Sequence, residues 1–571
     1  MGVLRPGSKL NAPRIHDQNF AMSRSAIRRL VAVGPTPRHR VGIPTPHPNQ
    51  RGFTMQPRDP EPEVDPRCRC CLHVWVAFAK GPQSVSRRAF LLGGAALAAG
   101  APGALRVAGG AGTRTSGHAG ARRASTNQYL AGNFAPVAME ADARDLTVHG
   151  AIPRELSGWL LRIGPDPIAA TPGSYHWFLG DGMVHAIELR DGRAVSYRNR
   201  WVRTDTAAAL LGGTRLPGQP REVNPAPNAA NTSLVAHAGH LLALYEVSLP
   251  TEITPELATV GRFDFAGGLR SPMTAHPKLD PVTGELLFFG LDPFGPPYLR
   301  FHVADAAGHL ARTHEVVLPA PSMMHDFAIT ERHVVFLDMP VVYDFALIGH
   351  RPFPARWKPE NGARVGVMSR DASGGVEWLD VELGYVFHTL NAYDDGDRVV
   401  LDLVRHPKMF DRDVYGVADG RGTLQRWTID PGARRVREEQ VSGRVQEFPR
   451  VDPRRLGRRH RYGYTTLTSD TGRGQRLGFG SLVKHDLRTG HAEVARLGPA
   501  AAASEGIFVP ASEQAGEDEG WVLAVVYDAR RDGSDLVVLD ATNFTGRPVA
   551  RVRLPQRVPF GFHGIWLPSS R

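Results

Sequence analysis

The hydrophobic residues of this chain fall into many short runs that are separated by turn residues. Residues 189–197 show the pattern, because apolar runs flank the pair Asp191-Gly192, as is typical of a β-hairpin. Similar turns, rich in Asp, Gly and Pro, recur at residues 280–284, 429–432, 486–490 and 540–546. No convincing amphipathic helix interrupts this series after about residue 130. The pattern predicts an all-β fold, which could be an array of sandwiches, a barrel or a propeller.

The spacing of five residues favours the propeller. These residues follow one another at intervals of about 60 positions, a length that suits one four-stranded blade with generous loops; they are His325, His388, Glu447, Glu505 and His563. About seven such blades fill the sequence. A propeller also brings equivalent positions of successive blades to one axis. We therefore predict an all-β, seven-bladed β-propeller for residues 130–571.

Composition and charge narrow the class of protein. With 42% hydrophobic and 22% charged residues, the chain can bury a large core. The net charge of +11 falls largely in the Arg-rich first part of the sequence, so it does not predict nucleic-acid binding. The three cysteines are Cys68, Cys70 and Cys71, so the predicted propeller has none. This excludes a cysteine nucleophile, a thiolate-bound cluster and a disulfide from that domain.

The sequence before the propeller predicts two further segments. Residues 1–80 show no strand or helix periodicity, and we expect them to be disordered or to be upstream sequence from a wrongly assigned start codon. In residues 81–125, Arg87-Arg88 precede an apolar stretch at 92–105, which resembles a twin-arginine export signal with a linker. The alternative is a chance arginine pair. We expect an exported protein, or a cytoplasmic one if the signal interpretation is wrong.

Four histidines beside short apolar runs suggest a metal site. They are His276, His325, His388 and His563. One such histidine alone is more often structural, and we interpret the remaining examples in that way: His240, His302, His333 and His485. Four together, with blade-like spacing, favour one shared metal. Neutral imidazoles suit iron, copper, zinc or nickel.

Three glutamates are candidates to orient those histidines. Glu246, Glu447 and Glu505 stand in apolar or aromatic surroundings, where a carboxylate is costly unless it is paired. A metal-bound imidazole needs an acceptor for its other ring nitrogen, and a carboxylate supplies one. The alternative is that these glutamates lie in loops and face water.

At these positions the sequence resembles the carotenoid cleavage oxygenase family. The resemblance covers residue 130 onwards and is carried by residues 164–167 (Gly-Pro-Asp-Pro), 176–183 (His-Trp-Phe-Leu-Gly-Asp-Gly-Met), 274–277 (Thr-Ala-His-Pro), 324–327 (Met-His-Asp-Phe), 387–388 (Phe-His), 391–394 (Asn-Ala-Tyr-Asp), 446–449 (Gln-Glu-Phe-Pro), 504–505 (Ser-Glu) and 562–564 (Phe-His-Gly). It implies a seven-bladed propeller with Fe(II) on its axis, held by the four histidines. It also implies that Glu246 orients His325, Glu447 orients His388 and Glu505 orients His563.

The resemblance further implies a dioxygenase. Such enzymes use O2 to cleave a carbon–carbon double bond of a conjugated substrate into two carbonyl products. We expect a carotenoid or an apocarotenoid as substrate. The alternative within the family is a hydroxystilbene, for which Tyr175 is a candidate substrate-binding residue, with a packed aromatic side chain as the alternative role. The stretch 204–211, however, lacks the lysine that the stilbene-cleaving branch uses. A third alternative is a non-catalytic propeller that binds an apolar ligand.

The expected partners follow from this interpretation. They are an apolar conjugated small molecule and O2, with no nucleic acid, in a monomeric protein. Because a carotenoid is insoluble in water, the protein would take it from a membrane. The apolar residues 345–348 and the flanking residues 350–354 are a candidate for peripheral contact with a membrane, with a packed loop between blades as the alternative.

Overall fold

The structure is a computed structural model that describes residues 127–137, 139–213, 228–416, 419–469 and 478–569. The leader predicted for residues 1–80 and the export signal and linker predicted for residues 81–125 lie outside the described residues. Both therefore stay predictions.

The described chain forms a seven-bladed β-propeller, so the predicted fold class is confirmed. The first five strands are β1 (Ala141–Arg144), β2 (Val148–Gly150), β3 (Gly158–Pro165), β4 (Gly182–Arg190) and β5 (Arg193–Trp201). The second blade consists of β6 (Ser233–His237), β7 (His240–Leu244), β8 (Thr251–Ile253) and β9 (Thr259–Arg262). The third consists of β10 (Lys278–Leu279), β11 (Leu286–Leu291), β12 (Tyr298–Ala304) and β13 (Leu310–Val317).

The fourth blade carries an extra hairpin. Its strands are β14 (Ala328–Ile329), β15 (His333–Asp338), β18 (Arg364–Ser369) and β19 (Val376–Asp380), with the hairpin β16 (Val341–Tyr343) and β17 (Ala355–Trp357) inserted between β15 and β18. The fifth consists of β20 (Tyr385–Asp395), β21 (Arg398–His406), β22 (Thr423–Asp430) and β23 (Arg435–Ser442). The sixth consists of β24 (Gln446–Arg450), β25 (Tyr462–Ser469), β26 (Gly478–Asp486) and β27 (His491–Val494).

Strands from both ends of the described chain close the ring. The seventh blade contains β28 (Ala501–Ala503), β29 (Ile507–Pro510), β30 (Gly520–Asp528), β31 (Gly533–Asp540) and β32 (Ala550–Arg553), with β2 on its outer edge. The first blade takes β33 (Gly564–Pro568) as its innermost strand, paired with β3, and β1 as its outermost strand, paired with β5. Each of these two blades is therefore assembled from sequence-distant segments, which locks the ring.

The core lies between neighbouring blades. The inner strand β11 is buried at all six of its positions, whereas most of the outer strand β13 is exposed or half-buried. An inner strand is covered on both faces by adjacent blades, so both sets of alternating side chains must be apolar. This explains why the sequence shows continuous apolar runs rather than strict alternation.

Helical structure is minor among the described residues. One α-helix, α1 (Asp205–Leu210), is capped by the Thr204 side chain, which accepts a hydrogen bond from the backbone N–H of Ala207. The 3-10 turns are Gln128–Leu130, Gly132–Phe134, Trp177–Leu179, Phe345–Leu347, Pro359–Asn361 and Pro453–Arg455. Within the described part of the chain, no helix is long and apolar enough to cross a membrane.

Candidate metal centre

Four histidines meet on the propeller axis. His276, His325 and His563 each directly precede, or stand within three residues of, the innermost strand of a blade, and His388 lies within β20. Each histidine offers one ring nitrogen to the cluster, and these four atoms lie within 4.8 Å of one another. Nε2 of His276 and Nε2 of His325 are 2.9 Å apart. Chain positions spread over four blades thus converge on one point.

Irregularities in the inner strands accompany the residues that point to the axis. The pairing of β20 with β21 shifts register between Val386 and Thr389, at His388. The pairing of β24 with β25 shifts between Glu447 and Arg450, and Phe448 has a φ of 54°. Bulges of this kind redirect side chains and are common beside functional sites, where backbone strain is also concentrated.

Each of the three glutamates contacts one histidine of the cluster. Nδ1 of His325 donates a short hydrogen bond to Oε2 of Glu246. Nδ1 of His388 donates to Oε2 of Glu447 at 2.6 Å, and Nδ1 of His563 donates to Oε1 of Glu505 at 2.8 Å. These contacts match the three implied pairs, and all three carboxylates are buried. Each pair fixes the ring tautomer that leaves Nε2 free to bind a metal.

The second oxygen of each carboxylate also has a donor, and sequence reasoning missed all three donors. The hydroxyl of Tyr343 donates to Glu246 at 2.7 Å, and Nε2 of His406 donates to Glu447 at 2.9 Å. Arg450 binds both oxygens of Glu505, at 2.7 and 3.0 Å. These donors lie 41 to 97 residues from their glutamates, so no local pattern could have identified them.

Burial and neighbouring charges set the protonation of the cluster. Burial raises the pKa of Glu447, but the charges and hydrogen bonds of His388 and His406 together outweigh it and hold that pKa well below its usual value. Arg450 and His563 have the same effect on the pKa of Glu505. Burial lowers the pKa of His563 to about 4, against the opposing pull of Glu505. Neutral imidazoles and ionised carboxylates are the forms that metal binding requires.

The donor set fits a transition metal. Nε2 of His388 is buried and has no hydrogen-bond partner among the described residues, which is costly unless something else occupies that lone pair. A cluster of imidazole nitrogens without thiolate suits iron, copper, zinc or nickel. His276 differs from the other three histidines, because in the described structure no carboxylate accepts from it; its ring is fixed by edge contacts with the other three rings, at centroid distances of 4.5 to 5.0 Å.

A large apolar cavity opens onto this cluster. Its volume is about 1260 Å³, counting the space at its open mouth. His325, His388 and His563 form part of its wall. Most of the remaining wall is aromatic or aliphatic and includes Trp177, Phe178, Val247, Met323, Phe353, Phe387, Met409, Phe448 and Phe562. Such a cavity suits an elongated apolar molecule and keeps water from the cluster.

The structure places Tyr175 outside the wall of this cavity. Tyr175 is buried in an aromatic cluster with Tyr129, Phe134, Trp177 and Phe562. Burial raises the pKa of its hydroxyl well above the usual value. A substrate-binding role for Tyr175 remains a prediction; Trp177 and Phe178 of the same segment line the cavity.

The structure describes two other regions about which the sequence made predictions, residues 204–211 and the candidate membrane segment 345–348. Residues 204–211, searched for a lysine, form the capped helix α1 and its C-terminal residue. Phe345, in the candidate membrane segment, stacks on the exposed Phe294 with ring centroids 5.0 Å apart. The membrane contact remains a prediction.

In the second blade, Thr232 stands where four other blades carry a histidine of the cluster. It directly precedes β6, the innermost strand of that blade, and it lines the cavity. Its carbonyl accepts a hydrogen bond from the backbone N–H of His563 at 3.2 Å. Sequence reasoning missed this residue, because a threonine at the start of a strand carries no distinctive signal.

Comparisons with known proteins agree with this geometry. The profile of the retinal pigment epithelial membrane protein family matches residues 134–568. A carotenoid cleavage oxygenase of Mycobacterium tuberculosis is 39% identical over 504 residues, covering 78% of this chain and 98% of the relative. An isoeugenol monooxygenase of Pseudomonas nitroreducens is 34% identical, covering 78% of this chain and 99% of the relative.

Solved structures show the same architecture. A lignostilbene dioxygenase of Pseudomonas brassicacearum superposes with a TM-score of 0.72 at 32% identity, covering 79% of this chain and all of that chain. Cobalt-substituted ACO of Synechocystis gives a TM-score of 0.69 at 29% identity, with the same coverage. The resemblance found in the sequence motifs is thereby confirmed. The chain belongs to the retinal pigment epithelial membrane protein family, the family of the carotenoid cleavage oxygenases, and is an oxygenase.

Proposed function

We propose that this protein is a non-haem Fe(II) dioxygenase that cleaves a carbon–carbon double bond of a carotenoid or an apocarotenoid with O2. The products are two carbonyl compounds. The observation that carries the proposal is the cluster of His276, His325, His388 and His563, the last three of which line the wall of a large, mostly apolar cavity. The carotenoid cleavage oxygenase of Mycobacterium tuberculosis, at 39% identity, supports this choice of substrate class.

In this proposal the histidines, the glutamates and the aromatic wall of the cavity have different roles. The four imidazoles would hold Fe(II), which when bound supplies the redox chemistry that O2 requires. The three glutamates keep the rings of His325, His388 and His563 turned with Nε2 towards the common centre. The aromatic wall excludes water and determines which double bond of the substrate lies nearest to that centre. The proposal requires no acid–base pair and no organic cofactor.

The second candidate function is cleavage of a hydroxystilbene. The structural similarity to a lignostilbene dioxygenase and the sequence similarity to isoeugenol monooxygenases favour it. The absence of lysine from residues 204–211 and the position of Tyr175 outside the cavity wall weigh against it. The third interpretation, a non-catalytic propeller, does not fit a family of oxygenases.

A direct comparison of substrates tests the proposal. Purified protein, loaded anaerobically with Fe(II), is given an apocarotenal or a hydroxystilbene, and O2 uptake and products are measured. We expect uptake with the apocarotenal and two carbonyl products. Turnover of the hydroxystilbene alone would select the second candidate. Fully iron-loaded protein that turns over neither compound would overturn the proposal.

A further inference from the structure

Glu447 is shared by two histidines from one blade. His388 in β20 donates to Oε2, and His406, the last residue of β21, donates to Oε1. Glu447 itself belongs to β24 in the next blade. The backbone N–H of Phe448 adds a third hydrogen bond, to Oε2, at 2.6 Å. The carboxylate is therefore held on both oxygens, and its orientation depends on His406 as well as on His388.

The imidazole of His406 is held in place by its surroundings. Its ring meets the ring of Phe387 edge to face, with centroids 5.9 Å apart. On another side lies Gly422, where an added Cβ would come within 2.6 Å of Cε1 and 2.8 Å of Nε2 of His406. No larger residue fits at position 422 unless the imidazole moves. Since that imidazole bears the donor for Glu447, its displacement would disturb the carboxylate.

The ring of His406 also forms part of the cavity wall, close to the metal-binding candidate His388 and to Glu447. Glu447, His388 and His406 all line the cavity. Arg450, the equivalent donor for Glu505, does not line it. His406 thus lies where substrate would pack and at the same time contacts the carboxylate that orients His388.

We propose that His406 is a positioning residue for the metal centre. It fixes Glu447 so that Oε2 faces Nδ1 of His388, and it thereby sets the direction in which Nε2 of His388 points. The inference rests on the proposed function, because it assumes that His388 binds the metal. It goes further in assigning a role to a residue that lies outside the four-histidine cluster and its three glutamates.

Three variants and a control separate this role from a merely structural one. His406→Leu removes the donor and leaves Oε1 of Glu447 unpaired. His406→Gln keeps an N–H donor. Gly422→Ala leaves His406 in the chain but pushes its ring aside. The control is His302→Leu, because His302 is also buried and bonded on both ring nitrogens, to Ser271 and Thr313, but in the outer part of the third blade.

The readouts are the Co(II) dissociation constant of the metal-free protein and the absorption spectrum of the Co(II)-loaded protein. His406→Leu and Gly422→Ala should weaken binding by about 10- to 100-fold and shift the spectrum. His406→Gln should restore most of the affinity, and His302→Leu should leave both readouts unchanged. Wild-type protein that binds no metal through these histidines would refute the proposed metal centre itself. Normal Co(II) binding by wild type, His406→Leu and Gly422→Ala alike would overturn only the role of His406.

Discussion

At the scale of residues, the four histidines are not equivalent. His325, His388 and His563 each donate to a buried carboxylate, whereas among the described residues the ring of His276 contacts the other three rings and no carboxylate. The groups that donate to the second oxygen of each glutamate differ as well. They are a phenol on Glu246, an imidazole on Glu447 and a guanidinium on Glu505. The negative charge behind each imidazole is therefore neutralised to a different degree.

Replacing one of the four imidazoles should remove the metal without unfolding the protein. For His325→Ala we expect loss of bound iron and of O2 uptake, with the far-UV circular dichroism spectrum unchanged, because three imidazoles hold the ion more weakly than four. The control is His333→Ala, a histidine of the same blade that pairs with Asp394 instead. Stoichiometric iron and normal O2 uptake in His325→Ala would contradict the assignment.

The sequence predicted the inner part of the site better than its surroundings. The family resemblance carried by the motifs implied which glutamates contact His325, His388 and His563, and the structure shows those contacts. Tyr343, His406 and Arg450 were missed because each lies in an ordinary strand and acts on a glutamate in another part of the ring. Such contacts depend on how blades pack, and no local spacing encodes them.

At the scale of elements, the first blade depends on a close approach of two backbone segments. Gly164, in β3, faces Gly561, which precedes β33. A Cβ added at Gly164 would lie 2.4 Å from Cα of Gly561, and backbone atoms on both sides cannot move aside as a side chain can. The two glycines thus allow β3 and the segment that carries His563 to pack together.

A methyl group at this contact should destabilise the propeller. For Gly164→Ala we expect a loss of roughly 1–3 kcal/mol in the free energy of unfolding, as for other overpacked interiors. Thermal unfolding followed by circular dichroism measures it. Gly173→Ala is the matched control, because a Cβ there meets nothing within 4 Å. Equal melting temperatures for the two variants would show that the contact relaxes at no cost.

The number and type of blades could be predicted, but the set of strands that makes up each blade could not. The interval of about 60 residues indicated one blade per repeat. That β1 and β2 pair with β5 and β32 was not predictable, since an edge strand of three or four residues has no distinctive pattern. The helix α1 was missed because its six residues are too few for a helical period to show.

At the scale of the whole molecule, the ring is closed by β33. This strand pairs with β3 and completes the first blade, and His563 directly precedes it. The fold and the histidine cluster are therefore completed by the same short segment.

Deleting β33 should abolish both the closed fold and metal binding by the histidine cluster. A chain that ends at His563 keeps all four histidines, but β3 loses its inner partner and the ring opens. We expect loss of the cooperative thermal transition and of bound metal, since net stabilities of only about 5–15 kcal/mol do not survive the loss of a central strand. A chain that ends at Ser569 is the control. A cooperative transition with bound metal in the shorter chain would show that closure is dispensable.

The cellular compartment of the protein is a separate question, because the predicted export signal lies outside the described residues. We propose that Arg87-Arg88 belong to a twin-arginine export signal, which is supported by the apolar stretch that follows them. Replacing both arginines with lysine should retain the protein in the cytoplasm, as cell fractionation would measure. Unchanged export of the lysine variant, or wild-type protein found only in the cytoplasm at full length, would contradict the proposal.

The closure of the ring by β33 also imposes an order on synthesis. The ribosome makes β3 early and its partner late, with 400 residues between Arg162 and Phe562. His276, His325 and His388 emerge long before His563, so the nascent chain cannot hold the complete set of imidazoles while it is being translated. The last histidine of the cluster and the last strand arrive together. Completion of the histidine cluster and closure of the ring are thus a single late event, and a prematurely ended chain carries only a partial, open site.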